Sequence, residues 1–283
     1  MAILLAYLFY FIAASASPLQ RRWLAVNRDA SQRGQVHFAF QIMLMLVFFG
    51  FGLPFFQPFF IRGSIFNIIL LALICGISGA GYFISSYVAQ KHVDAGITSL
   101  VSNIYTPITI FLATVFLNEK LTYLQIIGTV LLLISMLIIS KKHRIGRFHF
   151  DKYFLLMVTS GILLGILLTA ERALQKTTGF TAGTMFSWWA QCAILGIATI
   201  FFKSKSNYNR IDIAITGVLR FLQALSWVVL VFIVGNLSVV SAITTFKVVV
   251  VFAAAALFLH EREDLPRKII GSSIAIAGLL LMK

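Results

Sequence analysis

Charged residues in this chain come in clusters, and the stretches between clusters are apolar and long. Residues 34–61, 63–90, 95–118, 121–140 and 177–202 contain no Asp, Glu, Lys or Arg. A hydrocarbon core about 30 Å thick is crossed by roughly 20 apolar residues of helix. The pattern predicts helices over 2–17, 36–60, 64–89, 93–117, 121–140, 153–175, 180–202, 211–234, 237–259 and 265–282. Their ends carry the expected breakers: Pro18 after the first, Gly63 after the second, Gly146 in the central loop and Pro266 at the start of the last. Pro54 and Pro58 are placed to kink the second helix near its end. Pro107 falls well inside the fourth, where the lost backbone hydrogen bond needs a neighbour or water.

The chain also repeats itself. Leu117-Asn118-Glu119-Lys120 aligns with Leu259-His260-Glu261-Arg262, Ser99 falls on Ser241, and after one inserted residue Ile126-Ile127-Gly128 falls on Ile269-Ile270-Gly271. More weakly, Gln20-Arg21 corresponds to Glu171-Arg172. Five helices per half is an odd number, so successive copies enter the membrane from opposite sides, as in many secondary transporters. The expected architecture is an all-α integral membrane protein of ten transmembrane helices in two inverted five-helix repeats. Residues 1–140 and 153–283 form the repeats, and the basic segment 141–152 connects them.

Composition agrees: of 283 residues 60% are apolar and 11% charged, and mean hydropathy is +0.95. A soluble globular chain is about one quarter charged. The net charge of +14 lies in the connections, where it speaks for topology and anionic headgroups rather than nucleic acid. Connections after odd-numbered helices hold sixteen Lys and Arg, and the opposite side five. That bias places the odd-numbered connections in the cytoplasm and both termini outside. The first span, 2–17, lacks a basic leading segment and reads as a helix rather than a cleaved signal. Cys75 and Cys192 lie within apolar spans without metal or redox spacing.

The repeated unit resembles the EamA domain of the drug/metabolite transporter superfamily. The residues carrying the likeness are Ala95-Gly96-Ile97-Thr98-Ser99, Pro107, Phe116-Leu117-Asn118-Glu119-Lys120-Leu121 and Gln125-Ile126-Ile127-Gly128. Their second-half counterparts are Ser238 to Ser241, Phe258-Leu259-His260-Glu261-Arg262 and Lys268-Ile269-Ile270-Gly271, with Lys247 standing where the first half has Tyr105 and Val249 where it has Pro107. The resemblance implies a ten-helix basket around a central cavity that moves small metabolites by alternating access. It leaves the cargo open among amino acids, amines, nucleotide sugars and organic phosphates.

Two bases fall where a bilayer makes charge expensive. Arg220 is about nine residues into its helix and Lys247 about ten, roughly 14–15 Å from the helix starts and near the midplane. A charge there costs on the order of 3 kcal/mol and faces a cavity or a partner. Gln223 and Trp227 follow Arg220 at steps of three and four, and Thr244 precedes Lys247 by three, so each set shares a helix face. The repeat counterparts are Ser78, Gly81 and Ser85, and Ser102 and Tyr105. Together Lys247, Arg220, Gln223, Trp227, Thr244, Tyr105 and Ser102 are the expected substrate-binding set. Glu171 is either a proton or ion acceptor or an interface partner of Arg172. Glu119 and Glu261 read as structural residues of two helix turns. Trp188, Trp189 and Gln191 are candidates for stacking or packing. Gly76, Gly79 and Gly81, and the pair Gly161 and Gly165, read as close helix crossings.

No histidine cluster has ligand spacing, no glycine loop precedes a GK[ST] motif, and no catalytic triad or HExxH is present. The expectation is therefore a non-enzymatic secondary transporter of a small polar metabolite, with anionic cargo bearing a carboxylate or phosphate among the candidates, without metal or cofactor, in a bacterial inner membrane, as monomer or homodimer. An amino-acid or drug exporter is the near alternative. A lipid-modifying enzyme or scramblase that grips phosphorylated headgroups is the distant one.

Overall fold

The computed structural model describes residues 2–27, 32–90, 92, 98, 101–140, 152–201, 208–258 and 265–281. Among them every regular element is helical. The helices are α1 (Ala2–Asn27), α2 (Gln32–Gly50), α3 (Ile65–Ala89), α4 (Tyr105–Leu117), α5 (Tyr123–Ser140), α6 (Lys152–Thr178), α7 (Phe180–Phe201), α8 (Arg210–Val234), α9 (Leu237–Thr244), α10 (Lys247–Phe258) and α11 (Leu265–Leu281). Six segments of the described residues are long and apolar enough to cross a membrane: Ile3–Ala25, Gly34–Phe55, Ile65–Ala89, Leu155–Thr178, Phe180–Phe201 and Arg210–Val234. Large apolar side chains such as Leu4, Leu8, Phe111, Ile200 and Phe201 stand exposed on the perimeter, as lipid-facing residues do. The protein is an integral, multi-pass membrane protein.

Three expectations are corrected. Pro18 does not end α1, which continues to Asn27. The carbonyl that Pro18 frees is that of Ala14, four residues back, and both residues lie on the wall of a polar cavity where water can serve it. Pro54 and Pro58 do not kink α2, which stops at Gly50; Pro54 instead sits in a short 3₁₀ turn, Leu53–Phe55. The spans expected over 93–117 and 237–259 are not continuous helices. The first breaks at Asn103-Ile104 and the second at Thr245-Phe246. Because α4 restarts at Tyr105, Pro107 occupies its first turn, where a missing N–H breaks no bond.

The two breaks fall at matching positions of the aligned halves and have the same form. Ile104 N–H donates to Val101 O (3.1 Å) and Thr106 N–H to Asn103 O (2.9 Å). Phe246 N–H donates to Ile243 O (3.1 Å) and Val248 N–H to Thr245 O (3.1 Å). Each is a tightened 3₁₀ turn between two helical pieces. They face one another: Thr106 and Thr245 hydroxyls are 2.9 Å apart, Tyr105 and Thr244 hydroxyls 3.2 Å, and Asn103 Nδ2 donates to Thr245 O at 3.3 Å.

Helix ends follow local chemistry. Asn209 and Asp212 form a reciprocal capping box at the start of α8, which ends at Gly235 in the left-handed conformation (φ 74°). Asn236 then caps α9. Helix pairings come in matched sets: α3 packs on α6 as α8 does on α1, α3 on α7 as α8 does on α2, and α4 on α6 as α10 does on α1. Helices α5 and α11 pack on each other, with Gly278 at the crossing beside the Gly128 carbonyl.

The expected close crossings are present. A Cβ on Gly161 would lie 3.0 Å from Ser102 O and one on Gly165 3.1 Å from Tyr105 O, so α6 presses its glycine face against the first break. Gly161→Leu is expected to wedge α6 off that turn and lower thermal stability in detergent by about 1–3 kcal/mol, the usual penalty of overpacking. A melting curve identical to the parent's refutes the crossing.

Candidate functional site

The bundle contains a cavity of about 100 Å³ walled by α1, α2, α3, α4, α6, α7, α8 and α10. It extends from Leu164 and Trp188 in mid-helix toward Gln90 and Thr98, the end at which α1 and α3 finish. That volume holds several waters or a small metabolite.

Of the residues singled out in the sequence, Lys247, Arg220, Gln223, Trp227, Tyr105, Ser102 and Glu171 line this cavity. Thr244 does not. It is fully buried and backs the wall through its hydroxyl contact with Tyr105, because the break at Thr245-Phe246 turns it away from Lys247. On α3 the expected face, Ser78, Gly81 and Ser85, packs instead: Gly76 and Gly79 meet α7 and Gly81 meets Leu163 of α6. The adjacent face of α3, with Tyr82, Phe83 and Ser86, reaches the cavity. Trp188 and Gln191 line it, whereas Trp189 packs outside against Phe186 (5.8 Å between centroids) and Phe51 (6.0 Å).

The cations are held by aromatic faces rather than by acids. Lys247, 9% exposed, places Nζ 4.5 Å from the Tyr105 ring centre. Arg220 lies over Phe83 (5.0 Å) and Tyr82 (5.6 Å), donates from Nη1 to Gln223 Oε1 at 3.0 Å, and leaves Nε without a hydrogen-bond partner. Trp227 completes the aromatic wall, 5.8 Å from Tyr10 and 6.1 Å from Tyr105.

Arg21 was missed by sequence reasoning, which counted it as a loop charge. It is 8% exposed on the cavity wall, lies 4.8 Å from the Tyr87 ring centre, and leaves Nε and Nη1 without partners. The available signal was its register with Arg172 in the other half.

Glu171 is the cavity's acid. It is buried and accepts from Ser187 Oγ at 3.0 Å, and Gln191 Nε2 donates to that same hydroxyl at 3.0 Å. A Cβ on Gly79 would collide with the Gln191 side chain, so the glycine makes room for this chain of donors. The pairing of Glu171 with Arg172 is not found; the two point to different sides of α6.

Arg172 belongs instead to a polar seal at the other end of the bundle. Glu119, 7% exposed, receives Arg172 Nε at 3.3 Å, Lys176 Nζ at 2.6 Å and the Leu237 N–H at the start of α9. Arg172 Nη2 also donates to Gly235 O (2.8 Å), and Ser238 Oγ to Glu119 O (3.0 Å). Glu119 thus ties α4, α6 and α9 together, the structural role expected of it. Glu261, its counterpart, lies outside the described residues. Among the described residues no group of His, Cys, Asp and Glu could hold a metal.

Comparison with known proteins points the same way. Residues 1–141 match the profile of the EamA-like transporter family. A probable terminal-alkyne amino-acid exporter of Streptantibioticus cattleyicolor is 24% identical over 214 residues, spanning 74% of this chain and 71% of that protein. A solved crystal structure superposes with a TM-score of 0.70 at 14% identity, covering 98% of this chain and 97% of that one, so the fold is shared. These likenesses point to a transporter rather than an enzyme.

Two outcomes are expected. Glu119→Ala leaves two cations and the first N–H of α9 without their acceptor, and is expected to cost about 2 kcal/mol in detergent unfolding. Loss below a few tenths of that removes the seal's structural role. With Cys75 and Cys192 replaced by Ala, single cysteines at 220 and 247 are expected to react with a water-soluble thiol reagent in membranes, and one at the packed position 244 is not. Equal labelling at all three positions contradicts the cavity.

Proposed function

The chain belongs to the EamA-like transporter family through residues 1–141, and from that premise we propose that it is a secondary-active carrier of a small polar metabolite with an anionic group. The observation that carries this reading is the cavity itself. In a bundle whose perimeter is apolar, Arg21, Arg220 and Lys247 line one hollow whose only carboxylate among the described residues is Glu171. Buried cations without paired acids favour an anion that can complete their hydrogen bonds.

Alternating access follows from the matched halves. We read the six long helices, the two broken ones and the α5–α11 pair as ten membrane spans in two inverted repeats, 1–140 and 153–283, joined by 141–152. The paired breaks beside Tyr105 and Lys247 support this, since discontinuous helices meeting at the midplane are a feature of such carriers. The cavity extends toward the basic-loop end while Glu119 seals the other. With the basic loops in the cytoplasm of a bacterial inner membrane, this is an inward-facing form. Glu171, whose carboxylate shares the hollow with the bases, is our candidate for coupling a proton or ion to cargo binding.

A second reading, an amino-acid exporter, is favoured by the likeness to the probable terminal-alkyne amino-acid exporter of S. cattleyicolor. Glu171 would take the ammonium and the bases the carboxylate. A lipid-modifying enzyme or scramblase is less well supported, because the polar lining is walled by helices of both halves.

In proteoliposomes loaded with a panel of labelled organic acids and amino acids, Lys247→Ala and Arg220→Ala are each expected to cut the flux of a transported compound by about tenfold or more, the worth of one charge-assisted contact. Unchanged flux in both variants, with normal elution on size exclusion, removes the bases from the binding site.

A further inference from the structure

We propose that the anionic end of the cargo carries two negative charges, as a phosphate monoester or a dicarboxylate does, and that Arg21 is the third binding cation that selects it. The inference rests on the carrier reading and narrows its substrate class.

The argument begins with charge. Arg21, Arg220 and Lys247 against Glu171 leave the cavity with an excess of two positive charges. The three bases come from α1, α8 and α10 and line one cavity, with Arg21 over Tyr87 and Arg220 over Phe83 and Tyr82 of the same helix, α3. Like charges gathered in a poorly solvated site repel strongly. An α-amino acid, zwitterionic and neutral overall, would leave that excess untouched. A dianion cancels it.

Hydrogen bonding leads to the same class. The Arg21 guanidinium carbon lies over the Tyr87 ring at 4.8 Å and that of Arg220 over the Phe83 ring at 5.0 Å. Nε and Nη1 of Arg21 and Nε of Arg220 are buried and have no acceptor. Two guanidinium edges and one ammonium supply more donors than a single carboxylate with one charge can satisfy. A phosphate presents three oxygens and a dicarboxylate four, and planar guanidinium edges bind such groups in pairs. The sequence holds Arg21 in place by running α1 through Pro18, which keeps the arginine on the helix and in the wall rather than in a solvated loop.

The test uses the full-length protein in lipid nanodiscs and three probes of similar size: glycerol 3-phosphate, succinate and norvaline. Binding is read by calorimetry, and transport by counterflow of the same probes in proteoliposomes. Glycerol 3-phosphate or succinate is expected to bind at least about tenfold tighter than norvaline; which of the two binds better identifies phosphate or dicarboxylate. Arg21→Gln is expected to weaken the dianion by about tenfold or more while changing norvaline little, and Arg21→Lys to recover part of the loss. Binding of norvaline as tight as either dianion, or no change in dianion affinity for a well-folded Arg21→Gln, overturns the proposal while leaving a carrier intact. Failure of all three probes to bind overturns the dianion class. Tight binding of a dianion with no counterflow supports the site and counts against the carrier reading on which it rests.

Discussion

Inside a bilayer a backbone group without a partner has no water to turn to, and that constraint shapes the centre of this protein. Two apolar helical segments are interrupted, at Asn103-Ile104 and Thr245-Phe246. Each interruption keeps its own amides in 3₁₀ bonds, and the side chains of one turn serve the other through Thr106, Asn103 and Tyr105. Neither break is well served alone. The glycine face of α6 lets the first break pack tightly. Placing Tyr105 and Lys247 at the starts of the two following helices is the result, and it brings a buried ammonium onto an aromatic ring.

The remaining cations follow the same economy of means. Arg21 and Arg220 lean on the aromatic column of α3, Tyr82, Phe83 and Tyr87. Cation–π contact offsets part of the desolvation of a buried guanidinium without neutralising it. Where this protein wants a charge removed from circulation it uses a carboxylate instead: Glu119 takes two cations and a helix N-terminus in one cluster. Charge is thus kept available at one end of the bundle and locked at the other.

Much of this was legible in the residues. Spacing alone put Arg220, Gln223 and Trp227 on one face and Lys247 at the same depth, because membrane burial makes an isolated charge conspicuous. The close crossings at Gly161 and Gly165 were readable for a similar reason, since small residues in lipid have few other uses. What escaped depended on where helices stop. Pro18 reads as a terminator, yet a cavity can accommodate the carbonyl it frees, so α1 continued and carried Arg21 into the wall. The break after Thr244 carries no proline or glycine, and without it Thr244 and Lys247 were assigned a common face. Periodicity on α3 could not say which of two neighbouring stripes packs; the glycines took the crossings with α7 and α6, and Tyr82, Phe83 and Ser86 the hollow. Glu171 was drawn toward Arg172 by adjacency, although consecutive residues on a helix diverge by about 100°.

The unbalanced charge of the hollow bears on how such a carrier cycles. Closing lipid and protein around three bases and one acid is costly when nothing sits between them, since the field has no solvent left to screen it. An occupant that cancels the excess lifts that cost, so occlusion is easiest when loaded. If the cargo is the proposed dianion, a vacant site resists reorientation and the return goes faster with another anion aboard, so exchange of cargo is favoured over one-way release.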